Sequence, residues 1–255
     1  MEITVDTRPW AKIDTEALIT YAFEQDNPID GALSALDGAT GGALAKLAAS
    51  GELTGKMLEI TLLHYPQGLA AQRLLILGAG KREKFGTPEL RKLAGAAVRT
   101  LKPRKVKRLI FLARENDRSA AAAQAIVEGL ILGDFESDKY KTDKKPGTEI
   151  TTAAIAGWED SSRADADRGL ERGRTIAESQ NFARDLGNEP SNLLPPRMLA
   201  ARAEAMAREA GLAVDILDEK KIAELKMGAL LSVAQGSVEP PRLMVLTYTP
   251  EKLKP

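Results

Sequence analysis

Cysteine is missing from this 255-residue chain, and His64 is its single histidine. Disulfides, thiolate zinc sites and cysteine nucleophiles are therefore excluded. A multi-histidine metal site cannot be built without another chain. Aromatic residues make up only 4 % of the sequence, which argues against an aromatic-rich binding surface. No stretch approaches the roughly 20 apolar residues of a membrane-spanning helix. Charge of either sign is not in excess: Lys+Arg and Asp+Glu both number 36. No global field draws such a chain to nucleic acid or to an anionic membrane, although a local basic patch remains open. The first residues, Met1 to Asp6, lack the basic start and apolar run of a signal peptide. A soluble, cytoplasmic protein is the expectation.

What is present is mostly aliphatic. The chain is 44 % hydrophobic and 28 % charged, within the usual range of folded domains. Ala17–Phe23, Met57–Leu63, Arg73–Leu77, Leu109–Leu112 and Glu149–Ile155 are short β-leaning runs. Between them lie helix-like segments: Ala39–Ser50, closed by Gly51; one opened by Thr87-Pro88-Glu89, with the threonine as cap; and an alanine-rich helix from Ser119 to Leu132. Pro66-Gln67-Gly68 marks a turn, and Lys139–Pro146 a polar loop. Strands alternating with helices predict an α/β layered domain with a mostly parallel or mixed sheet.

From Arg163 to Leu186 the composition changes to a long charged helix with a modest apolar stripe, ended by Gly187 and Pro190. A second unit follows. Leu199, Ala203, Met206 and Ala210 share a helical face; Leu212, Val214 and Ile216 alternate as a strand; Asp218 caps a short helix; Gly228–Gln235 is another helix. Arg242–Thr249 is one more strand. Two strands are too few to bury an α/β core independently, so this unit reads as the opening of a domain whose remainder is absent.

Four groups of residues could carry chemistry. Gly78-Ala79-Gly80-Lys81 lies between a strand and a helix. It lacks the third glycine of a dinucleotide fingerprint and the spacing of a P-loop, so tight-turn glycines are weighed against phosphate binding. His64, beside Tyr65-Pro66, reads as a surface residue at a strand end. Asp134, Glu136 and Asp138, then Asp160, Asp165 and Asp167, are carboxylates in polar stretches, either solvated or convergent on an ion. Lys102, Arg104, Lys105, Lys107 and Arg108 form a basic run suited to phosphate-backbone contact if it is not simply an exposed loop.

Two further stretches are more specific. Arg184–Pro195, containing Asn188-Glu189-Pro190-Ser191-Asn192, resembles the interdomain segment of leucine (cytosol) aminopeptidases. Met227–Ser237 followed by Pro240-Pro241-Arg242 resembles the family's early catalytic-domain signature, and Leu75–Lys81, Glu128–Phe135 and Lys139-Tyr140-Lys141 are similar to its N-terminal domain. A tyrosine is common in the family where Asp134 stands here.

The resemblance implies three parts: a macro-like α/β N-terminal domain over 1–155, a linking helix over 156–190, and over 191–255 an incomplete α/β catalytic domain. It further implies a hexamer acting on peptide substrates with two divalent ions, Mn or Zn, that activate a bridging water. The family's metal and catalytic residues sit in a Gly-Lys-Gly-x-Thr-Phe-Asp and an Asn-Thr-Asp-Ala-Glu-Gly-Arg segment, neither of which is in this sequence. Glu251, Lys252 and Lys254 do not match them. No catalytic, metal or cofactor-binding position is therefore expected in this chain. The contrasting expectation is a module without enzymatic activity, binding a nucleotide or DNA near Gly78–Lys81 and Lys102–Arg108, or serving oligomerisation.

Overall fold

The computed structural model describes residues 1–25, 27, 33–142 and 149–250. The chain forms two compact units, Met1–Phe182 and Ala183–Pro255. In the first, a six-stranded sheet contains β1 (Glu2–Asp6), β2 (Ala17–Ala22), β3 (Ile60–His64), β4 (Arg73–Gly78), β5 (Arg108–Leu112) and β6 (Thr152–Ala156) in the order β1-β6-β5-β2-β4-β3. Every neighbouring pair is parallel except β3 with β4. The α/β class and mostly parallel sheet expected from the alternation are thus present. The central β2 is buried at all six positions, which explains why it lacks polar/apolar alternation; its one aliphatic hydroxyl, Thr20, donates to the Leu112 carbonyl.

The helices of this unit are α1 (Ser34–Ala39), α2 (Ala43–Ser50), α3 (Thr87–Leu101), α4 (Ala120–Asp134) and, as far as Phe182, α5 (Arg163–Asn188). One core layer joins Ile19, Tyr21, Leu75 and Phe111 of the sheet to Leu93, Ile126 and Leu170 of α3, α4 and α5. The opposite layer joins Leu18, Leu74, Ile76 and Ile110 to Leu36 and Leu44 of α1 and α2. Alternate residues of one strand thus feed opposite layers, as the two-residue period of a strand requires.

Several boundaries depart from the sequence reading. The helix expected from Ala39 to Ser50 starts only at Ala43, because Ala39 ends α1 and Gly41 and Gly42, at φ of 65° and 79°, turn the chain before α2. The strand expected from Met57 starts only at Ile60, since Leu58 sits at φ 63°. Thr87 is the first residue of α3 rather than its cap, and Glu89 instead accepts a hydrogen bond from the Gly86 amide at 3.1 Å. Glu2–Asp6, read only for what it was not, pairs with β6 as an edge strand. Part of the expected loop Lys139–Pro146 lies outside the described residues.

Helix α4 packs backbone to backbone against two other helices of this unit. A Cβ placed on Gly129 would stand 2.3 Å from the Arg91 carbonyl oxygen and 2.6 Å from Ala94 Cβ, both on α3. On α5, a Cβ on Gly169 would stand 2.3 Å from the Ala120 carbonyl oxygen. Backbones thus meet where side chains would hold them apart. Glu128, 3 % exposed, is carried into this contact with Arg91 Nε 2.5 Å away and Gln124 Nε2 at 2.6 Å.

At the other side of the sheet, the turn before β3 is organised by Glu59. Its carboxylate accepts from the Thr54 amide at 2.7 Å, the Thr54 hydroxyl at 2.7 Å and the Gly55 amide at 2.9 Å. Burial pushes this carboxyl upward, but the hydrogen bonds and nearby Lys56 outweigh it and hold it below the usual carboxylate range.

The second unit consists of α6 (Pro196–Glu209), β7 (Ala213–Leu217), α7 (Glu219–Glu224), α8 (Gly228–Ala234) and β8 (Leu243–Thr247). β7 and β8 form a two-stranded antiparallel sheet. Asp218 caps α7, accepting from the Lys221 amide at 2.9 Å, as its position suggested. Among the described residues of this unit the buried apolar side chains are Pro195, Ala200, Ala203, Ala207, Leu217 and Ile222. Three of these are alanines. Val233 is 85 % exposed and Val245 and Leu246 are 45 % and 44 % exposed, so apolar area worth about 25 cal/mol per Å² stays in water.

Gly129→Ala forces α3 and α4 apart and lowers stability by about 1–3 kcal/mol, whereas Gly38→Ala, with nothing within 4 Å of the new Cβ, raises it by about 0.5–1 kcal/mol in chemical denaturation. Glu59→Gln lowers the urea midpoint at pH 7. Because the folded pKa is depressed, the stabilisation is complete above the ordinary value of 4.5 and is lost as pH falls through the folded value, so wild type and variant converge in acid. Hydrogen exchange of the β7 and β8 amides is faster than that of β4 and β5; equal protection would contradict the small core of the second unit.

Candidate functional site

In an open parallel sheet, ligands collect beyond the carboxyl ends of the strands, where successive connections leave toward opposite faces. Here that point is at β2. The chain leaving β2 enters the layer of α1 and α2, whereas the chains leaving β4 and β5 enter the layer of α3 and α4. A cavity of about 330 Å³ opens there, lined by Phe23, Glu24, Leu33, Leu53, Thr54 and Gly55.

Beside it lies a group of aromatic and charged residues that the sequence reading did not single out. Tyr21 stacks on Phe85 with ring centres 5.2 Å apart, and Phe23 meets Phe85 edge-on at 4.9 Å. The Arg82 guanidinium lies 4.1 Å from the Phe23 ring centre and that of Arg114 lies 4.9 Å from it. The Tyr21 hydroxyl donates to Asp117 Oδ2 at 2.6 Å. Burial, followed by the hydrogen bond to Asp117, pushes the Tyr21 phenol well above its ordinary value, so it remains a donor. Tyr21 and Phe23 were legible as part of a strand. Their meeting with residues 59 to 96 positions away had no local signal.

The glycines that suggested a phosphate loop are bound up in the sheet margin. Gly78, Ala79 and Gly80 donate their amides to the carbonyls of Glu59, Ala22 and Gly55 at 2.8, 2.7 and 2.8 Å. A Cβ on Gly78 would stand 1.7 Å from the Lys56 carbonyl oxygen, so this glycine is required by the close approach of the 55–58 turn. A 3₁₀ turn at Arg82–Lys84 then intervenes before α3, so the helix N-terminus does not follow directly on the glycines. Phosphate loops work by offering amides that point at the ligand, and these three amides are committed to the fold.

Three residues of the basic run, Lys102, Arg104 and Arg108, have internal partners. Lys102 Nζ lies 2.8 Å from Asp134 Oδ1 and 2.9 Å from Glu136 Oε1, and also donates to the Asp134 carbonyl at 3.0 Å. Arg108 faces Asp14 and Glu16 at 3.7 and 3.9 Å. Arg104 donates to the Thr100 carbonyl, while Lys105 and Lys107 are exposed. Lys102 thereby also accounts for Asp134, the last residue of α4, and for Glu136 just beyond it. Of the later carboxylates, Asp165 pairs with Arg168 and Asp167 with Arg163. His64 is exposed at the end of β3, opposite Arg73 of β4. Glu251, Lys252 and Lys254 lie outside the described residues.

In the second unit, the turn Asn188–Asn192 is held by Glu189, whose side chain is 1 % exposed and lies 3.0 Å from Arg202 of α6. Arg242, at the end of the Pro240-Pro241 segment, pairs with Glu219 of α7 at 2.6 Å. These contacts give the two most specific sequence stretches a role in local packing.

Since the amides of residues 78–80 are spoken for and Lys102 and Arg108 face carboxylates, calorimetry with ATP, ADP-ribose or NAD yields nothing tighter than millimolar binding. Micromolar affinity for any of the three would overturn this reading of the cleft.

Two family models match the chain: the N-terminal domain of the cytosol aminopeptidase family over residues 19–144, and that family's catalytic domain over residues 181–255. A probable cytosol aminopeptidase of Solibacter usitatus is 43 % identical over 252 residues, covering 99 % of this chain and 49 % of the relative. That of Koribacter versatilis is 39 % identical, covering 98 % of this chain and 52 % of the relative. The chain thus spans about half the length of these curated relatives. Among solved structures, a mutant of tomato leucine aminopeptidase shares the fold with a TM-score of 0.83 at 23 % identity, over 98 % of this chain and 52 % of that one. A bottromycin maturation enzyme in complex with Mn gives 0.73 at 24 % identity, over 93 % and 46 %. With matches to both domain models and relatives aligned along nearly its whole length, the chain belongs to the cytosol aminopeptidase family.

Proposed function

We propose that this chain is the N-terminal portion of a metal-dependent leucyl aminopeptidase, a hydrolase that releases N-terminal residues such as leucine from peptides. The observation that carries the reading is the 43 % identity to a probable cytosol aminopeptidase, sustained over 252 residues. On this reading, residues 1–155 are a macro-like N-terminal domain, 156–190 a linking helix and 191–255 the start of the catalytic domain. The name of the relatives supports a cytoplasmic location. No helix among the described residues is long and apolar enough to cross a membrane. Assembly into a hexamer is part of the same proposal.

The described residues do not fit a metal pair. Among them, no three His, Asp or Glu side chains come together in a group able to hold an ion. Several of the carboxylates singled out in the sequence are instead engaged by lysine or arginine. No chemical step is therefore assigned to a metal on these residues. The manganese of the bottromycin maturation enzyme supports Mn, and the family resemblance Mn or Zn, for the whole protein. In the proposed division, the metal and catalytic residues are supplied by sequence other than these 255 residues.

Leucine p-nitroanilide hydrolysis tests both halves of the proposal. The purified 255-residue chain is expected to show no turnover with added manganese or zinc. A polypeptide that joins it to the remaining length found in its relatives is expected to hydrolyse the substrate and to stop when the metal is chelated. Metal-dependent turnover by the short chain, surviving contaminant controls, would overturn the assignment of the site elsewhere. An inactive, folded long chain would overturn the aminopeptidase reading itself.

A further inference from the structure

We draw no further inference here: the strongest candidate, the apolar surface of β8 and the residue after it in the second unit, where Val245, Leu246 and Tyr248 are exposed, carries nothing because nothing in the structure shows what covers it.

Discussion

The architecture of the first unit depends on how closely α4 can approach its neighbours. This helix buries residues around most of its circumference, from Ala122 through Gly133. Such a helix needs partners on more than one side, and ordinary side chains would keep their axes about 8–10 Å apart. Gly129 lets α3 come in on one side, and Gly169 and Gly173 let α5 come in on another. Buried Glu128 is tolerable at this seam because Arg91 and Gln124 meet it there. With α3, α4 and α5 locked together, one face of the parallel sheet is covered and its long apolar strands stay dry.

The same reasoning changes the meaning of the family-like stretches. Glu128–Phe135 resembles a family signature, yet in this fold its residues do packing: a paired carboxylate, close-contact glycines at 129 and 133, and Asp134 anchoring Lys102. Leu75–Lys81 is likewise a strand and its margin, with the amides of Gly78, Ala79 and Gly80 spent on neighbouring backbone. Glu189 and Arg202 hold the Asn188–Asn192 turn against α6. Recognisable sequence here marks places where backbone or charge has one workable arrangement, and that is a separate matter from catalysis.

The two units differ in how far they satisfy themselves. The first places large aliphatic and aromatic side chains in layers on both faces of its sheet. The second buries Pro195, three alanines, Leu217 and Ile222, and leaves much of β8 in water. A two-stranded sheet with so small a core is marginal by itself. That contrast accords with a chain spanning about half the length of its relatives.

Composition and local pattern by themselves determined a good deal. The lack of cysteine and the lone histidine excluded whole classes of chemistry. Short, nearly continuous apolar runs identified β2, β4 and β5, because a strand covered on both faces is apolar at almost every position, and their alternation with helix-like segments gave the α/β class. The stretches at Arg184–Pro195 and Met227–Arg242 identified the family. Tertiary structure alone decided what depends on groups far apart in the chain. Gly41, Gly42 and Leu58 broke elements whose composition looked continuous, since a left-handed φ leaves little trace in hydropathy. Lys102 could not be seen as the partner of Asp134 and Glu136 until α4 was laid beside α3. Nor could Tyr21, Phe85 and Asp117 be seen as one cluster, because only the parallel crossovers of the sheet bring the ends of β2, β4 and β5 together.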